Sequence, residues 1–200
     1  MQIKVKPMGI YATNCYILSV DNKDIIIDPG VDAAPWVIKS VKNPVAILNT
    51  HGHFDHVWSN KELKEHFNIP IYCPKDDAFM LSSDPFRKGV PKSEADYLVK
   101  PDELVEIEAI KLKFWHFPGH TPGCSVIEYK DIWFSGDFLF KDSIGRWNFP
   151  YSSKKDMINS LKRVKTFKQD RKVLPGHGEP TTLFRELKNI DSWIEYVKRY

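Results

Sequence analysis

Residues 45–56 of the chain read VAILNTHGHFDH, so a short apolar run leads directly into four side chains that can bind a metal ion. The apolar run predicts a buried strand. Beyond it, an extended backbone turns the side chains of His51 and His53 to the same side, where two imidazoles can bind one ion. Asp55 and His56 follow at the predicted start of a helix and project in a different direction, as a neighbouring second ion would require.

A different interpretation of this stretch is a polar helix entry, in which Asp55 caps the helix and the histidines are merely exposed. Histidine is uncommon, however, and only seven occur among the 200 residues. Three closely spaced imidazoles beside a carboxylate also make little sense without a cation to compensate them. We therefore favour a metal site.

Three later residues extend this predicted site. They are His120 (in PGHTPG), Asp137 (in SGD) and His177 (in PGHG), each next to a glycine and after a predicted strand. With the first four side chains they make five histidines and two aspartates. This donor set suits two divalent ions such as zinc, while iron or manganese would accept the same ligands.

The composition is typical of a compact protein without a membrane segment. The 200 residues, 42% of them hydrophobic, can form one core, and we expect a single domain over residues 1–200. No apolar run reaches the roughly 18 residues needed to cross a bilayer, so no membrane partner is expected. Three separated cysteines without a C-x-x-C pair argue against a disulfide framework and favour a cytoplasmic location.

The charge balance gives no reason to expect a nucleic-acid partner. Basic and acidic residues number 29 and 26, for a formal net charge of +3. We interpret the basic segment over residues 154–172 as a solvated helix face. The sequence leaves the oligomeric state open.

Predicted strands fall into two groups, with helices between and after them. The strands are expected at residues 3–5, 15–20, 24–28, 45–49, 69–73, 106–115, 125–129, 132–135 and 173–174. The helices are expected at residues 34–42, 58–66, 75–81, 155–169 and 182–200, and residues 82–103 are expected to form a surface excursion. Ser153 and Asp156 form a capping-box pattern before the fourth helix. This order predicts an α/β protein with two packed sheets covered by helices.

The H-x-H-x-D-H run, followed in order by His120, Asp137 and His177, resembles the metallo-β-lactamase superfamily over most of the chain. The resemblance implies a four-layer αβ/βα sandwich with the metals at one edge, between the two sheets. It also implies how the ligands divide: His51, His53 and His120 on a first ion, Asp55, His56 and His177 on a second, and Asp137 bridging both. Asp55 would in addition act in catalysis, by accepting a hydrogen bond from the attacking water.

Within the superfamily the chain resembles glyoxalase II-like hydrolases. The similar stretches are TNCY at residues 13–16, DPG at 28–30, GDFLF at 136–140 and SIGR at 143–146. This resemblance implies hydrolysis of a small-molecule thioester, for example a hydroxyacyl-glutathione such as S-lactoylglutathione. It makes Arg146 a candidate partner for a substrate carboxylate, and Asn148 stands where many members have a substrate-binding Tyr.

Two features leave other functions open. Full-length glyoxalase II enzymes have a helical C-terminal domain that supplies basic residues to glutathione, whereas 23 residues follow His177 here. The same motifs occur in persulfide dioxygenases, which bind a single iron through two histidines and an aspartate. A metal-binding module without catalysis is the third possibility, and it would be favoured by a site closed to solvent. His66 and His116, outside the motifs, are interpreted as structural.

Overall fold

The computed structural model describes residues 1–200 and contains two six-stranded sheets, a small hairpin and seven helices. The strands are β1 (Gln2–Met8), β2 (Thr13–Val20), β3 (Lys23–Ile27), β4 (Pro44–Leu48), β5 (Ile71–Pro74), β6 (Tyr97–Val99), β7 (Leu104–Ile107), β8 (Ile110–His116), β9 (Ser125–Tyr129), β10 (Ile132–Gly136), β11 (Leu139–Phe140), β12 (Ser143–Ile144), β13 (Lys172–Pro175) and β14 (Thr181–Thr182). The helices are α1 (Ala34–Ser40), α2 (Phe54–Val57), α3 (Asn60–Phe67), α4 (Ala78–Ser83), α5 (Lys154–Val164), α6 (Leu183–Leu187) and α7 (Ile190–Arg199), with a 3-10 turn at Lys75–Asp77 before α4.

Each sheet combines antiparallel and parallel neighbours. In the first sheet the strands lie in sequence order from β1 to β6, antiparallel from β1 to β3 and parallel from β3 to β6. The strand order in the second sheet is β14, β13, β10, β9, β8, β7. In this sheet β10 and β13 are parallel, and the other neighbours are antiparallel. β11 and β12 form the separate hairpin. Because neighbouring parallel strands end at the same edge of a sheet, the loops after β3 and β4 lie together, as do those after β10 and β13.

The two sheets face each other across one apolar layer. Along β3, Ile25 and Ile27 contribute to this layer while Ile26 belongs to the cluster on the opposite face, following the two-residue period of a strand. The second sheet contributes Phe114 and Phe134 to the same layer, and all five side chains are buried. Burying side chains of this size stabilises the fold by roughly 1.5–3 kcal/mol each. This layer holds the sheets together.

Helices cover the outer face of each sheet. Val37 of α1 and Leu63 of α3 pack against the first sheet, while Leu161 of α5 and Ile194 of α7 pack against the second, around Trp133. The order is therefore helix, sheet, sheet, helix, and the predicted four-layer αβ/βα sandwich is confirmed. None of the seven helices has the length and the apolar character needed to cross a membrane.

The helix predicted over residues 58–66 is α3 (Asn60–Phe67), and the helix start predicted at Asp55 and His56 is a separate short helix, α2 (Phe54–Val57). In the break between them, the Ser59 hydroxyl donates to the Gly30 carbonyl at 2.8 Å and accepts the Ala34 N–H at 3.3 Å. These contacts join residues far apart in sequence, so the local pattern does not reveal them. They fix the break beside the loop that follows β3.

Two other regions differ from the prediction in the centre of the chain. The alternating stretch at residues 106–115 is a hairpin of β7 and β8, and it turns at Glu108 and Ala109, both of which have positive φ. Such a turn normally carries glycine or asparagine, so the sequence gives no signal for it. The predicted excursion over residues 82–103 contains β6, an edge strand with two exposed apolar residues and no clear alternation.

The last two predicted helices are shorter than expected. The helix predicted over residues 155–169 ends at Val164, and Phe167 then packs against Trp133 with ring centroids 4.9 Å apart. The segment at residues 182–200 is divided into α6 and α7 by a turn that contains neither glycine nor proline. Packing against the second sheet thus decides where these helices end.

Candidate metal centre

The seven predicted metal-binding side chains lie on loops at one edge of the sandwich. The stretch from residue 51 to 56 follows β4 and runs into α2, and the first sheet thus supplies four of them. His120 lies in the loop between β8 and β9, Asp137 directly follows β10, and His177 follows β13, so the second sheet supplies three. Six of the seven are buried, and the side chain of His177 is 30% exposed. The structure brings all seven together.

One group of possible ligands contains three imidazoles. A nitrogen from each of His51, His53 and His120 lies within 4.8 Å of the other two. The ring centroids are 4.8 Å apart for His51 and His53, and 4.5 Å apart for His53 and His120. One ion can accept a nitrogen from each of these rings.

A second group lies beside the first. Asp55 Oδ2 is 3.7 Å from His56 Nε2 and 3.4 Å from His177 Nε2. Asp137 lies between the groups, with Oδ1 3.3 Å from His56 Nε2 and Oδ2 3.4 Å from His120 Nε2. Ligand atoms around a tetrahedral ion with bonds of about 2.0–2.1 Å are about 3.4 Å apart, so these separations suit metal coordination.

The unpaired polar atoms of the centre support the same conclusion. Nε2 of His51, His53, His56 and His120, and Oδ1 of Asp137, are buried and have no hydrogen-bond partner. Buried polar groups in folded proteins nearly always have a partner, because desolvating them otherwise costs about 1–3 kcal/mol each. Cations bound to the two groups would supply each of these atoms with a partner. The residues present therefore fit a metal centre.

The opposite ring nitrogen of four histidines is held by the surrounding protein. The Nδ1 contacts are His51 to Thr50 Oγ1 at 3.1 Å, His56 to Asp28 Oδ2 at 3.0 Å, His120 to the Arg146 carbonyl at 2.8 Å and His177 to the Tyr11 carbonyl at 3.0 Å. Such partners fix the tautomer and the orientation of a metal-binding imidazole. Each Nε2 is thereby turned toward the centre.

Asp28 is one supporting residue to which the sequence analysis assigned no role. Its Oδ1 accepts the Thr50 N–H at 2.8 Å, and its Oδ2 accepts the Thr50 hydroxyl at 2.6 Å besides contacting His56. Asp28 also lies near His51 in a third possible ligand group, but its oxygens already have these partners. The side chain thus orients two candidate ligands from behind. Its only sequence signal is the Asp-Pro-Gly that ends β3.

Asp77 is a second supporting residue that the sequence analysis missed. It is fully buried and accepts hydrogen bonds from the Gly52 N–H at 2.9 Å, the Thr121 hydroxyl at 2.6 Å and the Gly123 N–H at 2.6 Å. Burial raises the pKa of this carboxyl to about 6, although the three hydrogen bonds oppose the rise. Asp77 therefore joins the loop of His51 and His53 to the loop of His120.

The TNCY stretch at the start of β2 also supports the centre. The Thr13 hydroxyl donates to Asp55 Oδ2 at 2.8 Å. Asn14 Nδ2 donates to the Pro175 and Gly178 carbonyls at 3.0 Å, and the Tyr16 hydroxyl donates to Pro175 at 2.7 Å. These bonds fasten the loop of His177 to the first sheet. The stretch that carried the glyoxalase II resemblance thus holds the metal-binding loops in place.

Electrostatics divide the centre into a neutral and a charged part. Burial lowers the pKa of His51, His53 and His120, and neighbouring histidines reinforce this for His51 and His53, the latter reaching about 3. Burial raises the pKa of Asp55, but the charge of His56 and the hydrogen bonds from His177 and Thr13 outweigh it and lower the value to about 2. The first group thus supplies neutral imidazoles, as cation binding requires. In the second group Asp55 is ionised, but the neighbouring carboxylates outweigh burial and raise the pKa of His56 and His177, so an ion has to displace protons there.

The centre opens into a pocket of about 460 Å³. Five apolar or aromatic residues form part of its wall: Tyr11, Phe54, Phe86, Phe149 and Pro150. Five candidate metal ligands and Lys88 complete the lining. A pocket of this size, apolar with a few polar groups at its base, is typical of a small-molecule site.

Arg146 and Asn148, the candidate substrate-binding residues, lie outside the lining of this pocket. Both are exposed, and Arg146 Nε donates to Asn148 Oδ1 at 3.2 Å. The Arg146 guanidinium lies 4.3 Å from the ring centroid of Phe149, so one aromatic ring separates it from the pocket. Both residues instead line a neighbouring pocket of about 580 Å³ against α7. Their contact with substrate stays a prediction.

Two facing sheets covered by helices, with a histidine and aspartate centre at the shared edge, define the class of metal-binding α/β sandwich. The chain belongs to the metallo-β-lactamase superfamily, whose family profile matches residues 8–177.

Several proteins are similar to the chain along nearly its whole length. An uncharacterized protein of Aquifex aeolicus is 36% identical, with 93% of this chain and 94% of the relative covered. A protein of Haemophilus influenzae named hydroxyacylglutathione hydrolase GloC is 32% identical, with 94% and 96% covered. Among solved structures, BLEG-1 B3 metallo-β-lactamase has a TM-score of 0.84 at 29% identity, covering 94% and 97%. TTHA1623, in a di-iron-bound form, has a TM-score of 0.77 at 29% identity, covering 89% and 93%.

Proposed function

We propose that residues 1–200 form a single dinuclear, metal-dependent hydrolase domain that cleaves thioesters, as glyoxalase II enzymes do. The observation that carries this proposal is the set of buried Nε2 and Oδ1 atoms that lack a partner at the base of an open pocket. The name of the Haemophilus relative supports the substrate class. Three free, buried cysteines agree with the cytoplasmic location that we also propose.

Two divalent ions are proposed, with zinc as the first choice and iron or manganese as alternatives. The proposed ligands are His51, His53 and His120 for the first ion, Asp55, His56 and His177 for the second, and Asp137 for both. When bound, such ions lower the pKa of a water molecule and polarise a carbonyl group. The protein holds the ligands in position through the outer hydrogen bonds of their rings.

Asp55 is proposed to orient the attacking water as well as to bind metal. Thr13 fixes its carboxylate at 2.8 Å, and its pKa of about 2 keeps it ionised. A fixed, ionised oxygen accepts a hydrogen bond from water and directs a lone pair toward the acyl carbon. The water oxygen bonds to that carbon while the carbonyl π pair moves onto the carbonyl oxygen. The pair then returns, the carbon–sulfur bond breaks and the sulfur leaves as a thiolate, while the two protons of the water pass to solvent and a carboxylate is left. Because a thiol has a pKa of about 8.5, its departure requires no general acid.

The test combines metal analysis of the purified protein with hydrolysis of S-lactoylglutathione, followed by thiol release. We expect about two ions per chain and release of glutathione. His53→Ala and Asp55→Asn are expected to lower kcat/KM by about 100-fold or more, because each removes a proposed ligand. His66→Ala removes an exposed histidine of α3 and is the matched control, with unchanged activity expected. Two ions without cleavage of this or any simpler thioester would refute the substrate class.

The same samples test the two alternatives. A persulfide dioxygenase would contain one iron and consume oxygen in the presence of a persulfide. The similar protein TTHA1623 is known in a di-iron-bound form, so finding iron does not by itself indicate a dioxygenase. The number of ions per chain and the oxygen uptake distinguish the hydrolase from the dioxygenase. A metal-binding module without catalysis is disfavoured by the open pocket and by the partly exposed His177. A chromogenic β-lactam serves as a specificity control, given the similarity to BLEG-1.

A further inference from the structure

Lys88 is the one lysine or arginine among the eleven residues that line the pocket. Its Nζ lies 5.6 Å from the ring centroid of Phe54, and this ammonium group makes neither a hydrogen bond nor an ion pair, although the backbone N–H of Lys88 is bonded to Asp84. A cation without a protein partner at the wall of a substrate pocket is available to an anion on the substrate.

The loop that carries Lys88 is held by a single carboxylate. Asp84 Oδ1 accepts the Lys88 N–H at 3.0 Å, and its Oδ2 accepts the Gly89 N–H at 2.8 Å. The Asp84 carbonyl also accepts the Arg87 N–H at 3.0 Å. Phe86, in the same loop, contacts the His53 ring at a centroid distance of 5.0 Å. The loop is therefore held at the backbone of Lys88 and at the side chain of Phe86, and the Lys88 side chain extends from a fixed position.

Arg146, the cation expected to bind substrate, is less available. Its guanidinium stacks on Phe149 and donates to Asn148, and it lines the pocket against α7 instead. A substrate bound over the metal centre in this pocket can therefore contact Lys88 directly, whereas the ring of Phe149 lies between it and Arg146.

We propose that Lys88 selects thioesters that carry a carboxylate, by pairing with that group while the aromatic wall takes the apolar part of the substrate. This inference rests on the proposed thioesterase function and specifies its substrate class. Lys88 contacts the substrate and takes no part in bond breaking, so its contribution falls on KM and leaves kcat unchanged.

The experiment compares two thioesters that differ in one charge: the S-acetyl derivatives of 3-mercaptopropionate and of 3-mercaptopropionamide. For the metal-loaded wild type we expect a higher kcat/KM on the acid. Lys88→Gln should lower kcat/KM on the acid by about tenfold, mainly through KM, and leave the amide within twofold. Lys88→Glu should lower it further, and added salt should reduce the wild-type preference. Arg87→Gln changes an exposed cation of the same loop that does not line the pocket, so it is the matched control and should leave the preference intact.

Equal losses on both thioesters in Lys88→Gln would overturn the proposal, and so would an equally selective loss in Arg87→Gln. A binding measurement separates this outcome from failure of the proposed function. The S-methyl thioethers of the same two compounds cannot be hydrolysed, so NMR titration of the metal-loaded protein reports Lys88 recognition without turnover. Tighter binding of the acid, lost in Lys88→Gln, supports the proposal even if neither thioester is cleaved, and equal binding refutes it.

Discussion

At the scale of single residues, the centre depends on carboxylates that are not themselves candidate ligands. Asp28 holds His56 and, through Thr50, His51, while Asp77 joins the backbones of two metal-binding loops. Removing the outer partners of metal ligands typically weakens metal binding 10- to 100-fold. Asp28 and Asp77, which lie behind the candidate ligands, thus set the orientation of the imidazoles.

Asp77→Asn provides the test at this scale. The amide retains one oxygen, but its NH₂ group must face a donor, either Gly123 or the pair Gly52 and Thr121. We expect a loss of about 1–3 kcal/mol in the free energy of unfolding and at least about tenfold weaker metal binding. Denaturation of the apoprotein and competition with a chromogenic chelator measure the two effects.

Asp76→Asn changes an exposed carboxylate one residue away and should alter neither quantity. If Asp77→Asn lowers the free energy of unfolding but leaves metal affinity at the wild-type value, Asp77 is a structural residue only.

At the scale of elements, α5 closes the second sheet and supports the loop of His120. The Ser153 hydroxyl accepts the Asp156 N–H at 3.2 Å and caps the helix, as the sequence pattern predicts. Met157, in the first turn, packs so closely on Gly119 that a Cβ there would lie 2.5 Å from its Cα. The cap therefore fixes the helix start directly beneath a metal-binding loop.

Ser153→Ala removes the cap and should lower the free energy of unfolding by about 1 kcal/mol, since an N–H of the first turn loses its acceptor. Ser153→Asp restores an acceptor and should recover most of that loss. Chemical denaturation of both variants measures the effect. Ser192→Ala, at an exposed position of α7, controls for the change in side chain. Equal stability of Ser153→Ala and the wild type would show that the cap contributes nothing to the fold.

The elements also show what sequence reasoning reaches and what it does not. The apolar runs of β3 and β4 and the metal-binding motifs after β4, β8, β10 and β13 are local patterns, so they were predicted. The break at Ser59 and the roles of Asp77 and Lys88 depend on partners distant in sequence. The turn at Glu108 and Ala109 is local, but its positive φ values occur at residues that carry no signal for them. Candidate ligands carry a motif, whereas the residues that orient them are recognised only once the chain has folded.

At the scale of the whole molecule, the centre is assembled from both sheets. His53 and its three neighbours come from the first sheet, while His120, Asp137 and His177 come from the second. The two sheets otherwise meet through the apolar layer between them. The proposed ions take ligands from both sheets, an arrangement that exists only in the folded molecule, so we expect metal binding and folding to be coupled.

This coupling predicts that metal removal lowers the free energy of unfolding, by about 4 kcal/mol if the free ion is at roughly 1,000 times its Kd. The increase in the free energy of unfolding that metal provides should grow with pH. Burial lowers the pKa of His177, but hydrogen bonds to Asp137 and Asp55 outweigh it and raise the value to about 9. A raised pKa stabilises the apoprotein fully below about pH 6.5, and that contribution is lost as the pH rises toward 9, where metal no longer has to displace the proton.

Urea denaturation near pH 6.5 and near pH 8.5, with zinc and with chelator, measures this difference. His53→Ala, from the first sheet, and His177→Ala, from the second, should each lose most of the metal-dependent gain, whereas His66→Ala should keep it. His177→Ala should also weaken the pH dependence of the gain that remains, because it removes one of the two histidines, with His56, whose raised pKa means that metal must displace a proton. A metal-dependent gain that survives the loss of either sheet's ligand would mean that the ion is held by one sheet alone, and the two halves of the sandwich would then fold without its help.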